Sequence, residues 1–129
     1  MEARGLKENY FQSKFVEQLK KNGYTVFVLS DSFTSGIPDV YCCKDGVSHW
    51  YELKVVNRSK GTVILSDGSQ GYGFTKIQKV TLYKLRQAGV DAWGVVHIAP
   101  RKTTVLVPPE DFDTETSIED LLKYVKFSP

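Results

Sequence analysis

Asp39, Glu52 and Lys54 are the residues of this 129-residue chain whose types and spacing can do chemistry together. They lie in two β-like runs, Ile37-Pro38-Asp39-Val40-Tyr41 and Trp50-Tyr51-Glu52-Leu53-Lys54, on either side of Asp45-Gly46. That dipeptide tolerates positive φ at both positions, so it suits the tight hairpin loop whose twist matches its strands. With the turn there, Lys44 faces Val47, Tyr41 faces Trp50, Asp39 faces Glu52 and Ile37 faces Lys54. Opposed residues share a sheet face with Cβ atoms roughly 4.5–5.5 Å apart, and Lys54, two residues beyond Glu52, joins the same face. Opposed like charges destabilise a hairpin and ask for a counter-charge. A divalent cation supplies one. Oxygen-only ligands with positions open to water and a phosphate oxygen suit Mg2+, with Mn2+ as its substitute, better than zinc. Apolar residues on both runs, among them Val40, Tyr41, Trp50 and Leu53, argue against a merely solvated face.

Other chemistries find little support. The only cysteines, Cys42 and Cys43, are adjacent, and a strand would point them to opposite faces, which disfavours a disulfide between them. The only histidines are His49 and His97, with no CxxC or HxxxH spacing, so neither a structural zinc nor a Cys-His dyad is visible.

The elements that must position the acids can be read from periodicity. A helix over Glu8 to Asn22 carries Phe11, Phe15 and Leu19 on one stripe and stops at Gly23. Glu8 falls inside that stripe: either it sits in the first turn and gains from the helix dipole, or it reaches toward the acids. Tyr24 to Leu29, rich in β-branched and aromatic residues, predicts a strand buried on both faces, followed by a polar loop from Ser30 to Gly36 whose hydroxyls are either phosphate contacts or a connector. The glycine-rich stretch 57–74 predicts a mobile flap or a small hairpin and matches no nucleotide-binding loop.

Thr75 with Gln78 three residues later predicts a capping box, opening a helix that runs to Ala88 and stops at Gly89. Its stripe is predicted as Ile77, Thr81, Leu85 and Ala88, with Val80 and Leu82 at the flanks. Strands over 92–98 and 103–107 and a final helix over 117–127 complete the order. The fold class is therefore α/β, a mixed central sheet of about five strands flanked by helices.

Length and composition set the frame. The chain is predicted to be a single domain over 1–129, with 41% hydrophobic and 25% charged residues as in an ordinary globular protein. No apolar run approaches the roughly 18 residues of a membrane span and no signal-peptide core is visible, so no membrane association and a cytoplasmic location are expected. The net charge of +2 is small, but the last twenty residues gather most of an acidic group that includes Glu110, Asp113 and Glu119, leaving a more basic body.

Gly36-Ile37-Pro38-Asp39-Val40, Glu52-Leu53-Lys54, the helix start Phe74-Thr75-Lys76-Ile77-Gln78 and Ala88-Gly89 before an apolar strand together resemble the PD-(D/E)XK nuclease superfamily. Within it the chain is most similar to compact single-domain VRR-NUC and Holliday-junction-resolvase-like nucleases, often carried by phages. The likeness runs from about Glu8 to Ile98. It implies a restriction-endonuclease-like core and Mg2+-dependent hydrolysis of DNA, here on branched or junction DNA, by a homodimer acting in recombination or repair.

By position, Asp39 and Glu52 would hold the metal with the Leu53 backbone carbonyl, Glu8 would touch it through water, Lys54 would orient the attacking water, and Gln78 would position the lysine or the substrate. Ser35, Arg58, Lys60, Lys76 and Lys79 are the expected DNA contacts. The long segment between Lys54 and Phe74 departs from the minimal family core and leaves substrate geometry open. A restriction-type or nicking nuclease is the enzymatic alternative. A non-catalytic nucleic-acid-binding protein on a nuclease fold is the other, though all three of Asp39, Glu52 and Lys54 are present.

Overall fold

Asp45 and Gly46 both take positive φ, 53° and 81°, in the computed structural model, which describes residues 6–29, 36–68 and 73–129. Two successive positive φ angles are what a type I′ hairpin turn requires. The turn joins β2 (Val40–Lys44) to β3 (Val47–Val56), with Lys44 opposite Val47 and Tyr41 opposite Trp50 as the sequence predicts. The ladder ends at Val40 opposite Tyr51, so the predicted run from Ile37 is shorter than expected. Pro38 explains this, because it has no N–H to give to a ladder.

The sheet has five strands in the order β1-β2-β3-β5-β6, with β1 at Thr25–Val28, β5 at Asp91–Ile98 and β6 at Thr103–Val107. Among the described strands only β3 and β5 pair in parallel, from His49 beside Asp91 to Val56 beside Ile98. A parallel pair needs a crossover. It contains α2 (Lys76–Gln87) and places that helix on one face, while α1 (Leu6–Lys21) covers the other. Phe15 and Leu19 of α1 pack on Val40, Cys42, Tyr51, Leu53 and Val95. On the opposite face Leu82 of α2 joins Phe74, Phe112, Val56 and Val96. The strand alternation of β3 therefore sends Trp50, Glu52, Lys54 and Val56 toward α2.

Four expectations are corrected. The first strand is an edge, not a doubly buried strand: Phe27 is 54% exposed and Thr25 and Val28 are exposed too. The stripe of α2 is rotated, because Leu82 is fully buried while Ile77 is 51% exposed and Ala88 is exposed. Of the two readings of 57–74, the small hairpin is not seen among the described residues: β4 (Thr62–Ile64) pairs antiparallel with β7 (Glu115–Ser117) instead, and residues 69–72 lie outside those described. The final helix α3 is one turn, Ile118–Leu121. The chain then returns to the edge of β6, where Leu106 N–H donates to Val125 and Phe127 N–H donates to Thr104.

Gly94 of β5 lies under the stacked rings of Phe74 and Phe112, whose centroids are 3.8 Å apart. A Cβ on Gly94 would come within 2.6 Å of Phe112 and 2.8 Å of Phe74. Gly94→Ala is therefore expected to destabilise the fold by about 1–3 kcal/mol, as overpacking does, measured by urea unfolding. An unchanged midpoint would mean that the aromatic pair yields freely.

Candidate active site

Asp39 stands one residue before β2, and the hairpin register carried one step beyond its last pair sets it against Glu52. Both acids are buried, Asp39 to 6% and Glu52 to 1% exposure. They are the only buried charged residues among those described, and buried carboxylates are rare without a purpose or a partner. Leu53 N–H donates to Asp39 Oδ2 at 2.9 Å, so the carboxylate supplies the acceptor that β2 no longer offers. In a strand a residue's N–H and C=O leave on the same side, so the Leu53 carbonyl also faces the Asp39 end of the hairpin.

Glu52 is held by the start of α2. Gln78 Nε2 donates to Glu52 Oε2 at 3.0 Å. The same amide closes the capping box: Thr75 N–H donates to Gln78 Oε1 at 2.8 Å and Gln78 N–H donates to Thr75 Oγ1 at 3.2 Å. One side chain thus fixes both the helix end and the acid, which the capping pattern alone did not reveal. Lys54 is half-buried, with Nζ 5.9 Å from the centroid of the Phe74 ring. Phe74, whose sequence signal was only its place before the helix cap, forms the wall beside the lysine.

The other expected residues are distributed differently. Glu8 sits half-buried in the first turn of α1. Lys76 is exposed at the first position of α2, and Lys79 is ion-paired with Asp113. Hydrogen bonds from Lys79 and Ser66 hold the Asp113 carboxyl below the usual carboxylate range. Arg58 Nη1 donates to the Thr62 carbonyl at 2.6 Å, and Lys60 is exposed. Ser35 lies outside the described residues.

Cys42 and His49 turn out to be cross-strand partners, and His49 Nδ1 lies 2.5 Å from Asp91 Oδ2. Burial first, then the Cys43 and Asp91 charges, push the Cys42 thiol up to about 12, so it stays protonated and is no nucleophile. Among the described residues no group of three or more His, Cys, Asp and Glu side chains gathers as a metal cage. The Asp39 and Glu52 carboxylates and the Leu53 carbonyl are oxygen donors of the kind that could hold a hard divalent cation.

Neither a family model nor a curated protein matches the sequence. Solved structures do match in fold. Hjc, a Holliday junction resolvase from the archaeal hyperthermophile Archaeoglobus fulgidus, superposes with a TM-score of 0.63 at 13% identity, over 92% of this chain and 93% of its own. A bacterial homing endonuclease gives a TM-score of 0.53 at 13% identity, over 98% of this chain and 79% of its own. This chain therefore shares the α/β fold of a junction resolvase and of a homing endonuclease. No helix among the described residues is long and apolar enough to cross a membrane.

Proposed function

We propose that the protein is a metal-dependent endonuclease that hydrolyses DNA phosphodiesters, selecting branched or junction DNA by shape. The observation that carries this reading is that Asp39 and Glu52 are both buried at the end of the hairpin ladder, with Leu53 N–H donating to Asp39 and Gln78 donating to Glu52. A restriction-endonuclease-like fold supports it, as does the junction resolvase among the fold neighbours.

Asp39, Glu52 and the Leu53 carbonyl would hold Mg2+ or Mn2+. A bound divalent cation would supply Lewis acidity toward the scissile phosphate and a lowered pKa for attacking water. The residues do the rest. Gln78 keeps the Glu52 carboxylate oriented, and Lys54 presents an ammonium, walled by Phe74, to the charge that develops on the phosphate. Lys76, Lys79, Arg58, Lys60 and Ser35 would hold the backbone, with Asp113 yielding Lys79 to a phosphate. Such contacts position DNA without reading bases, so binding weakens as salt rises. A homodimer would bring two such sites to a two-fold symmetric junction.

The test is cleavage of labelled linear, nicked, flap and four-way-junction DNA in EDTA, Mg2+ or Mn2+. Junction or flap cutting that needs metal supports the reading; binding without cutting in either metal rejects it.

Gln78 separates structure from chemistry in the same assay. Gln78→Glu keeps a capping-box acceptor but sets a carboxylate against Glu52, so the melting temperature is expected to hold while cleavage falls about tenfold or more. Gln78→Ala loses the cap as well and is expected to cost about 1–2 kcal/mol of stability. Wild-type cleavage by Gln78→Glu would reduce the residue to a helix cap.

A further inference from the structure

On the α1 face, opposite the side from which Glu52 and Lys54 project, the fold leaves a concavity of about 570 Å3. That volume lies within the roughly 300–1,000 Å3 usual for small-molecule sites. It lies between the α1 residues Lys7, Tyr10, Phe11 and Lys14 and the strand residues Val55, His97 and Thr104, with Phe127 of the C-terminal segment at its side. Its lining combines flat rings with two ammonium groups. The Phe11 ring stacks on the His97 imidazole at 4.6 Å and 9°. His97 is neutral near pH 7, because burial lowers its pKa, and its Nδ1 lies 2.9 Å from Thr104 Oγ1.

Tyr10 stands at the rim, 67% exposed, with Lys14 Nζ 5.6 Å from its ring centroid. Lys7 lines the same rim. Lys14 pairs weakly with Glu17 at 3.9 Å, and both side chains are more than half exposed, so a phosphate can replace that carboxylate at little cost.

A hydrocarbon chain would fill such a space but leave both ammonium groups unused. A planar ring carrying a phosphate uses rings and charges together. Bases inside a duplex have their faces covered, so only an unstacked one can enter. We propose that this concavity receives one unpaired nucleotide of a DNA strand, its base against Tyr10, Phe11 and His97 and its phosphate on Lys7 and Lys14. The proposal rests on the DNA reading above and adds the DNA form that is gripped: one with an unpaired segment, as at a flap or an open junction.

Binding of fluorescent oligo(dT), blunt duplex and free thymidine monophosphate is compared in EDTA for the wild type, Tyr10→Ala and Lys7→Gln/Lys14→Gln. Tyr10→Ala is expected to weaken oligo(dT) about tenfold, the size of one lost base–ring stack, and to leave duplex binding unchanged. The double lysine variant is expected to reduce the slope of log affinity against log salt by about 0.7, the loss of one single-strand phosphate contact. Unchanged oligo(dT) affinity in both variants, or equal losses for duplex, overturns the proposal. An effect confined to the free nucleotide overturns it too, by assigning the site to a small molecule. No metal is present and the acid-bearing face is untouched, so a protein that cuts nothing yet holds oligo(dT) through Tyr10 upholds this site and rejects only the hydrolase.

Discussion

Asp39→Asn and Glu52→Gln are each expected to lower metal-dependent DNA cleavage by on the order of 1,000-fold while the folded protein remains. The rate loss follows from removing one of two carboxylates that hold the cation beside the developing phosphate charge. Stability behaves differently because of what each oxygen already does. Asp39 Oδ2 accepts the Leu53 N–H, and an alanine would leave that buried donor without its acceptor, at about 1–3 kcal/mol. Asparagine keeps an acceptor there, and glutamine keeps one for Gln78 Nε2. Each also keeps the size and shape of the buried side chain it replaces, so metal-free stability should hold.

The second readout is thermal. A ligand at 100 times its Kd adds about 2.7 kcal/mol, so saturating Mg2+ should raise the wild-type melting temperature by roughly 10 °C, and neither variant by more than a small part of that. Normal cutting by both variants, or an undiminished Mg2+ shift in them, would sink the assignment of these acids.

The acids were legible because their register is set locally. Asp45-Gly46 fixes the turn, the turn fixes the pairing of every residue back to Val40, and Asp39 is one step further. The capping box was legible for the same reason, since Thr75 and Gln78 lie within one turn. What escaped was decided at a distance. Ile77 and Leu82 are equally apolar to a helical wheel, and packing of α2 on β5 and the Phe112 segment selects Leu82 for burial. Nothing in Tyr24 to Leu29 says that no strand will pair on its outer side. β4 finds its partner in β7, with Thr62 Oγ1 donating to Glu115 fifty-three residues away. The last helix is cut short because β6 is an edge whose free groups Val125 and Phe127 satisfy, a demand invisible in Ser117 to Phe127 itself. The link from Gln78 to Glu52 likewise joins elements 26 residues apart.

Lys54→Met is expected to cut turnover by roughly 100- to 1,000-fold and to leave the Mg2+-dependent rise in melting temperature in place. Methionine keeps an apolar stem beside Phe74 and removes only the charge, so the loss reports electrostatics and not packing. The contrast with the acid variants is the decisive part: they should lose the metal response, whereas this one should bind metal and fail at chemistry. Lys54→Arg tests what kind of charge is needed. A guanidinium is planar, broader and fixed in its fork, whereas an ammonium is compact and offers three rotatable donors. A half-buried position against an aromatic wall has room for the compact group, so arginine should stay within about tenfold of the methionine variant. Full rescue by arginine would mean that any positive charge at this point suffices, and loss of the Mg2+ shift in Lys54→Met would make the lysine part of the metal site instead of the hydrolytic step.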